Sequence, residues 1–257
     1  MVVSKSPWGL DELLEPLRAR PDRAGVLTDF DGTLSGIVDD PGSARLFEGA
    51  FEVLDDLAGR YRLVGVVSGR PVEFLTTCLP ESVQLFGLYG LESRRDGERA
   101  DHPSAGTWRE VIADVAATSK ANGPDGMQIE NKGLSLTFHF RTRPEVADDV
   151  RDWADRQASR SGLLCRAARK SVELHPPISS DKGTTVHDLA EGLSAVCFLG
   201  DDHGDLAAFD ALDDLARDGV TTVRVAVESD EAPPELVERA DAVVDGPAGA
   251  LDLLRRL

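Results

Sequence analysis

Cysteine is scarce in this chain. The three present in 257 residues, Cys78, Cys165 and Cys197, lie far apart, with neither paired nor metal-ligand spacing. That spacing excludes a disulfide framework and a cysteine-held metal. The expectation is three free thiols buried in apolar surroundings, as in a cytoplasmic protein. Basic residues are also short, 28 Lys and Arg against 46 Asp and Glu, which leaves a formal charge of −18. Such a balance argues against nucleic acid or an anionic membrane as a partner. It also obliges any anionic ligand to find cations within a local site. Long apolar runs are missing: no stretch could span a bilayer, and Met1 to Leu17 lacks the core of a signal peptide. No segment repeats at a solenoid period and none is low in complexity. What is there, 41% hydrophobic and 29% charged residues, is enough for one large domain or a core with a smaller insertion.

Short apolar runs alternate with longer amphipathic stretches, the pattern of βαβ units and a parallel sheet. Strands are predicted over Val26 to Thr28, Leu63 to Val67, Gln84 to Leu88, Ala195 to Leu199, Thr222 to Val227 and Ala242 to Val244. Helices are predicted over Gly49 to Gly59, Pro71 to Cys78, Lys182 to Glu191, Asp205 to Ala216 and Pro247 to Leu257. Right-handed crossovers put these helices on both faces of a Rossmann-like α/β sheet. Between about Thr107 and Pro176 the order changes. Helices over Trp108 to Lys120 and Pro144 to Arg160 are each followed by two strands: Met127 to Glu130 with Leu134 to Arg141, then Leu163 to Ala167 with Ser171 to His175. This αββαββ block reads as an inserted α+β module. The expected division is 1–103 and 178–257 for the core and 104–177 for the insert, with Pro103 and Pro176-Pro177 at the hinges.

Chemistry gathers where strands end. The apolar run Ala24 to Leu27 stops at Thr28-Asp29-Phe30-Asp31-Gly32-Thr33, two aspartates one residue apart followed by glycine. In an open α/β sheet, ligands bind beyond the carboxyl ends of the strands. Two hard oxygen ligands there suit Mg²⁺, which keeps waters that a phosphate can replace. A plain turn is the competing reading of Asp and Gly. A calcium loop counted from Asp29 needs Gly sixth and Glu twelfth, but Leu34 and Asp40 stand there.

Three further signals follow. Ser68-Gly69-Arg70 ends the strand at Val67, where a hydroxyl and backbone N–H groups can hold phosphate oxygens. Lys182 stands at the start of a helix, where an exposed first-turn lysine is the competing reading, but its charge runs against the macrodipole and so asks for an explanation. Gly200-Asp201-Asp202-His203-Gly204-Asp205 follows another strand, and three carboxylates this close repel unless a cation shares the site. His203 reads as an exposed loop histidine, with contact to the phosphate or metal shell as the alternative.

Together these four elements resemble the haloacid dehalogenase (HAD) superfamily of phosphotransferases, with D-x-D-G-T at Asp29 to Thr33, the motif-two serine at Ser68, the lysine at Lys182 and G-D-D at Gly200 to Asp202. The resemblance covers essentially the whole chain and implies a HAD core with a C2-type αββαββ cap. It implies Asp29 as a nucleophile that forms an aspartyl-phosphate, and Asp31 as the acid that protonates the leaving alkoxide and then the base that activates water. Thr33, Ser68, Gly69 and Lys182 would hold the phosphate. Mg²⁺ would sit on Asp29, the carbonyl of Asp31 and Asp201, with Asp202 or Asp205 in support.

Within that superfamily the chain looks most like the trehalose-6-phosphate phosphatases. The likeness rests on Leu88 to Glu92, on Ile129 to Leu136 with His139-Phe140-Arg141, on Val172 to Pro176, and on the arginine after Ser68-Gly69. It implies that Arg70, Glu130, Lys132 and Glu173 bind the sugar phosphate, the last three through sugar hydroxyls. The acidic motif departs from the family's usual G-D-D-x-T-D-E, with Gly204 and Leu206 at the Thr and Glu positions. The metal carboxylates survive, so the departure bears on sugar specificity. The expected protein is therefore a cytoplasmic Mg²⁺-dependent phosphatase for a small-molecule sugar phosphate, and a monomer is the simplest form. Another sugar phosphate or phosphorylated glycoside is the alternative substrate. A catalytically silent sugar-phosphate sensor is the alternative of a different class.

Overall fold

The structure is a computed structural model that describes residues 2–4, 9–38, 41–168, 170–229 and 232–257. Asp40 and part of the Met1 to Leu17 segment lie outside these residues. In chain order the elements are β1 (Val2–Ser4), α1 (Gly9–Ala19), β2 (Ala24–Thr28), α2 (Ala50–Arg60), β3 (Leu63–Val67), α3 (Val72–Cys78), β4 (Gln84–Gly87), β5 (Glu92–Arg95) and β6 (Glu98–Asp101). Then come α4 (Trp108–Asn122), β7 (Gln128–Asn131), β8 (Leu136–His139), α5 (Ala147–Ser161), β9 (Leu164–Ala168) and β10 (Ser171–His175). The chain finishes with α6 (Lys182–Leu189), β11 (Ala195–Gly200), α7 (Asp205–Arg217), β12 (Thr221–Glu228), α8 (Pro234–Arg239), β13 (Ala242–Asp245) and α9 (Gly246–Leu254). Two compact units result, one of residues 1–100 with 180–257 and one of residues 101–179.

The first unit holds a sheet ordered β1-β13-β12-β11-β2-β3-β4-β5-β6 among the described residues. Its six central strands pair in parallel, while β1 and β5 pair antiparallel at the flanks. The central strands are buried on both faces, which is why they read as unbroken apolar runs. Alternate side chains feed two cores. Val26, Val64, Val66 and Leu199 pack with Leu17 of α1, Leu57 of α2, Leu75 of α3 and Leu253 of α9. Leu27, Val67 and Phe198 pack on the other face with Val186 of α6, Phe209 of α7 and Leu236 of α8. Each such fully buried side chain is stabilised by about 2 kcal/mol relative to exposure.

The second unit sets α4 and α5 against an antiparallel sheet ordered β7-β8-β10-β9. Ile112 and Val115 of α4 and Val150 and Ala154 of α5 meet Leu136, Phe138, Val172 and Leu174 in one core. The second predicted helix begins as a 3-10 turn at Pro144–Val146 before α5 proper. Four features were not expected from the sequence: β1, α1, α8 and the β5-β6 hairpin. The hairpin carried its own signal, Asp96-Gly97, whose two positive φ angles (51° and 81°) fit the primed turns of tight hairpins. The expectation of three buried thiols is corrected. Only Cys197 is buried, Cys78 is intermediate, and Cys165 is exposed because β9 lies at a sheet edge.

Candidate active site

Three adjacent strands, β11, β2 and β3, end side by side in the first unit, and each delivers a motif there. Asp29 follows β2 directly, and its N–H donates to the carbonyl of Leu199 at the end of β11, at 2.8 Å. That bond continues the sheet ladder into the motif and fixes the backbone of a side chain only 4% exposed. The loop then turns at Gly32, with φ 75°, and a Cβ there would fall 1.9 Å from Asp201 Oδ2. Glycine alone lets the two acidic loops approach this closely. Thr33 is fully buried and its Oγ1 donates to Asp201 Oδ1 at 3.4 Å.

Lys182 opens α6, whose N-terminus carries a capping box. Asp181 Oδ1 accepts from Thr184 N at 2.7 Å, and Thr184 Oγ1 accepts from Asp181 N at 2.9 Å. The position of Lys182 is explained by carboxylates. Its Nζ lies 2.6 Å from Asp205 Oδ1, 3.0 Å from Asp29 Oδ1 and 3.8 Å from Asp202 Oδ1. Burial alone would drive the proton off Lys182, but Asp205, Asp29 and Asp202 together outweigh it and lift its pKa. Asp205 also braces the acidic loop, because its Oδ2 accepts from the N–H groups of Asp201 and Asp202 at 2.8 and 2.9 Å.

Among the described residues, Asp29, Asp201 and Asp205 form a buried group whose ligand oxygens all lie within 4.8 Å of one another. Burial, then the charge of Asp205, pushes Asp201 up to about 8. Burial likewise raises Asp29, and it raises Asp205 to about 6 against the pull of Lys182. One lysine does not neutralise three buried carboxylates. The donor set is hard oxygen and fits a cation of the Mg²⁺ type. The carboxylates of Asp31 and Asp202 stand outside that trio. Asp202 Oδ1 accepts from Gly204 N at 2.8 Å, while His203 is exposed.

Asp31 is engaged by arginine. Arg70 Nε and Nη2 donate to its two oxygens at 2.7 and 2.6 Å, a bidentate pair, and the guanidinium lies 4.5 Å from the centre of the Phe74 ring. Ser68 is buried, and its Oγ accepts from Arg70 N at 3.2 Å. One participant was missed in the sequence. Ser229, just past β12, donates from Oγ to Asp201 Oδ2 at 2.9 Å. A lone serine after a strand is no signal, and only the parallel register of β11 with β12, which pairs Gly200 with Ala226, brings it there.

Glu130, Lys132 and Glu173 come together in the second unit. The register aligns Glu130 of β7, Thr137 of β8, Glu173 of β10 and Arg166 of β9 in one row across the sheet. Glu173, buried, accepts from Ser135 Oγ at 2.7 Å, with Lys132 Nζ 3.6 Å and Arg166 Nη1 3.8 Å away. Glu130 Oε2 lies 2.9 Å from His139 Nε2. Thr137 Oγ1 is buried and without a hydrogen-bond partner.

Comparison with known proteins agrees with this geometry. The sequence pattern of the family described as Trehalose-phosphatase matches residues 27–238. A trehalose-phosphate phosphatase of Mycobacterium avium is 32% identical over 249 residues, 90% of this chain and 61% of the relative. One from Mycobacterium leprae is 34% identical over 221 residues, 78% of this chain and 50% of the relative. The chain therefore spans half to three-fifths of the length of these relatives. The C-terminal domain of Candida albicans trehalose-6-phosphate phosphatase shares the fold, with a TM-score of 0.77 at 22% identity over 98% of this chain and 97% of that one. This chain belongs to the trehalose-phosphatase family of the HAD superfamily.

Proposed function

We propose that the chain is a Mg²⁺-dependent phosphomonoesterase that hydrolyses trehalose 6-phosphate to trehalose and phosphate. The observation that carries this reading is Asp29, a buried carboxylate beyond a strand end, 3.0 Å from a buried ammonium and within an acidic trio. A carboxylate oxygen of Asp29 attacks phosphorus as the bond from phosphorus to the sugar oxygen breaks, and Asp31 gives that oxygen its proton. In the second half Asp31 takes a proton from water, whose oxygen attacks the aspartyl-phosphate and frees Asp29 and inorganic phosphate. Arg70 holds the Asp31 carboxylate in one orientation. Thr33, Ser68, Gly69 and Lys182 hold the phosphoryl group. Mg²⁺ bound by Asp29 and Asp201 with the Asp31 carbonyl, supported by Asp202 and Asp205, would screen the attacking carboxylate from the substrate's own charge.

In the same reading the insert acts as a cap that supplies sugar recognition through Glu130, Lys132 and Glu173. The unpartnered Thr137 hydroxyl, in the row between Glu130 and Glu173, supports it, since a sugar hydroxyl would satisfy that group. The enzyme is cytoplasmic and monomeric in this reading. Its three cysteines are free, which suits a reducing compartment. No helix among the described residues is long and apolar enough to cross a membrane. A panel of phosphorylated sugars, with Mg²⁺ and EDTA arms and phosphate release as readout, tests the substrate. Preference for another sugar phosphate overturns it. Asp29→Asn is expected to bind trehalose 6-phosphate yet lose at least about a thousandfold in turnover; substantial residual activity would sink the covalent mechanism.

A further inference from the structure

Leu88 to Glu92 is left unexplained by the reaction itself, yet it packs against the loop that carries Ser68 and Arg70. Leu88 and Tyr89 both adopt left-handed backbone, with φ of 50° and 59°, and Gly90 follows at 94°. Two consecutive non-glycine residues in this region are strained, and such strain persists only where surrounding contacts over-determine it. Such contacts surround the turn. Leu88 N donates to the carbonyl of Arg70 and Tyr89 N to that of Ser68, each at 3.0 Å. The Tyr89 carbonyl accepts from Ser180 Oγ at 2.6 Å and Thr185 Oγ1 at 3.4 Å, at the two sides of Lys182. Glu92 Oε2 accepts from Val72 N at 3.0 Å, in the first turn of α3. The Tyr89 ring lies on Gly69 so closely that a Cβ there would fall 2.7 and 2.8 Å from its Oη and Cζ.

We infer that Tyr89 is a positioning residue: the strained turn at 88–90 clamps the Ser68–Arg70 loop and ties it to the start of α6, so that Ser68, Arg70 and Lys182 keep one mutual geometry. The inference rests on the proposed function, in which these three serve the phosphoryl group and its proton donor. Gly69 is glycine because the ring occupies the place of its side chain, and a loop pinned by ring and backbone cannot drift from the phosphate.

Tyr89→Asn keeps a residue type that tolerates left-handed backbone but removes the ring, and Tyr89→Gly also relieves the strain. Both are expected to lower kcat for trehalose 6-phosphate about 10- to 100-fold, the effect of a displacement on the order of 1 Å. They are also expected to weaken inhibition by inorganic phosphate about tenfold, with circular dichroism unchanged. Tyr89→Phe restores the ring and is expected to recover most of both. Gly69→Ala, whose methyl collides with the ring, is expected to weaken phosphate inhibition in the native background and to do so much less beside Tyr89→Gly. Folded Asn and Gly variants that keep kcat and phosphate inhibition within about twofold of native overturn the inference. So does a Gly69→Ala enzyme with native phosphate inhibition, which decides the matter even if the Tyr89 variants do not fold. If the native protein releases phosphate from no sugar phosphate, the proposed function fails. Calorimetry of inorganic phosphate with Mg²⁺ on the same variants then still tests the clamp.

Discussion

Each unit holds a lysine beside a carboxylate, and the two pairs are built differently. Lys182 is 2% exposed, at the first position of a capped helix, with carboxylate oxygens at 2.6 and 3.0 Å. Lys132 is 15% exposed on the loop between β7 and β8, and its nearest carboxylate oxygen, on Glu173, is at 3.6 Å. The first group is locked by backbone on every side: Asp205 is bonded to two N–H groups, and Asp29 is held by the sheet ladder. The second is a looser group of polar side chains, placed by strand register and by side-chain contacts such as Ser135 on Glu173 and His139 beside Glu130. In the proposed function the contrast divides the labour. Covalent chemistry needs charges that do not move during reaction, whereas sugar recognition needs partners that can exchange one hydrogen bond for another.

The contrast can be broken from either side. Lys182→Ala has the largest expected effect. It is expected to lower kcat by roughly 100- to 1,000-fold and to destabilise the fold by about 3–5 kcal/mol, because buried carboxylates lose their cation. Turnover and a denaturant melt measure the two, and a variant that loses neither would erase the distinction between the lysines. Lys132→Ala is expected to raise KM for trehalose 6-phosphate about tenfold, the value of one or two charged hydrogen bonds, and to leave p-nitrophenyl phosphate turnover unchanged. An equal loss on both substrates would place Lys132 with the chemistry instead.

The smallest expected effect is on thermal stability. The pKa of Asp201 is raised in the fold to about 8, so the native state binds a proton there that the unfolded chain releases at ordinary carboxylate pH. Stability from this group is fully present below about pH 4 and is lost as pH rises towards 8, with the sign set by proton linkage. Mg²⁺ needs the ionised carboxylate, so its stabilising shift in Tm is expected to grow between pH 5 and 8, reaching a few degrees. A shift independent of pH would remove the trio from metal binding.

Much of the first unit was legible because a parallel sheet buried on both faces writes itself as short apolar runs, and its ligand loops begin where those runs stop. Asp29, Ser68 and Asp201 stand at such ends, whereas Lys182 is singled out by its place at a helix start. Partnerships could not be read in this way. Arg70 reads as a substrate ligand in sequence, and nothing in its own segment shows that its guanidinium also pairs with Asp31, 39 residues away. Cys165 was expected to be buried, but β9 is an edge strand, and edge position is a property of the sheet rather than of any segment. The β5-β6 hairpin was missed although Asp96-Gly97 announced its turn, because its strands, Glu-Ser-Arg-Arg and Glu-Arg-Ala-Asp, carry no apolar alternation.

By itself the sequence determined the central strands of the core and most of the helices packed on them, the order of the four motifs and the residue types that can attack, hold a cation or carry a proton. These follow from local periodicity and from chemistry that each side chain carries anywhere. Tertiary structure alone decided which groups meet: Ser229 on Asp201, Asp205 beneath both Asp201 and Lys182, the Tyr89 ring on Gly69, and the row from Glu130 to Arg166. Such meetings depend on strand order and register, which are set by burial summed over the whole sheet. No segment holds that sum, so none could have disclosed it.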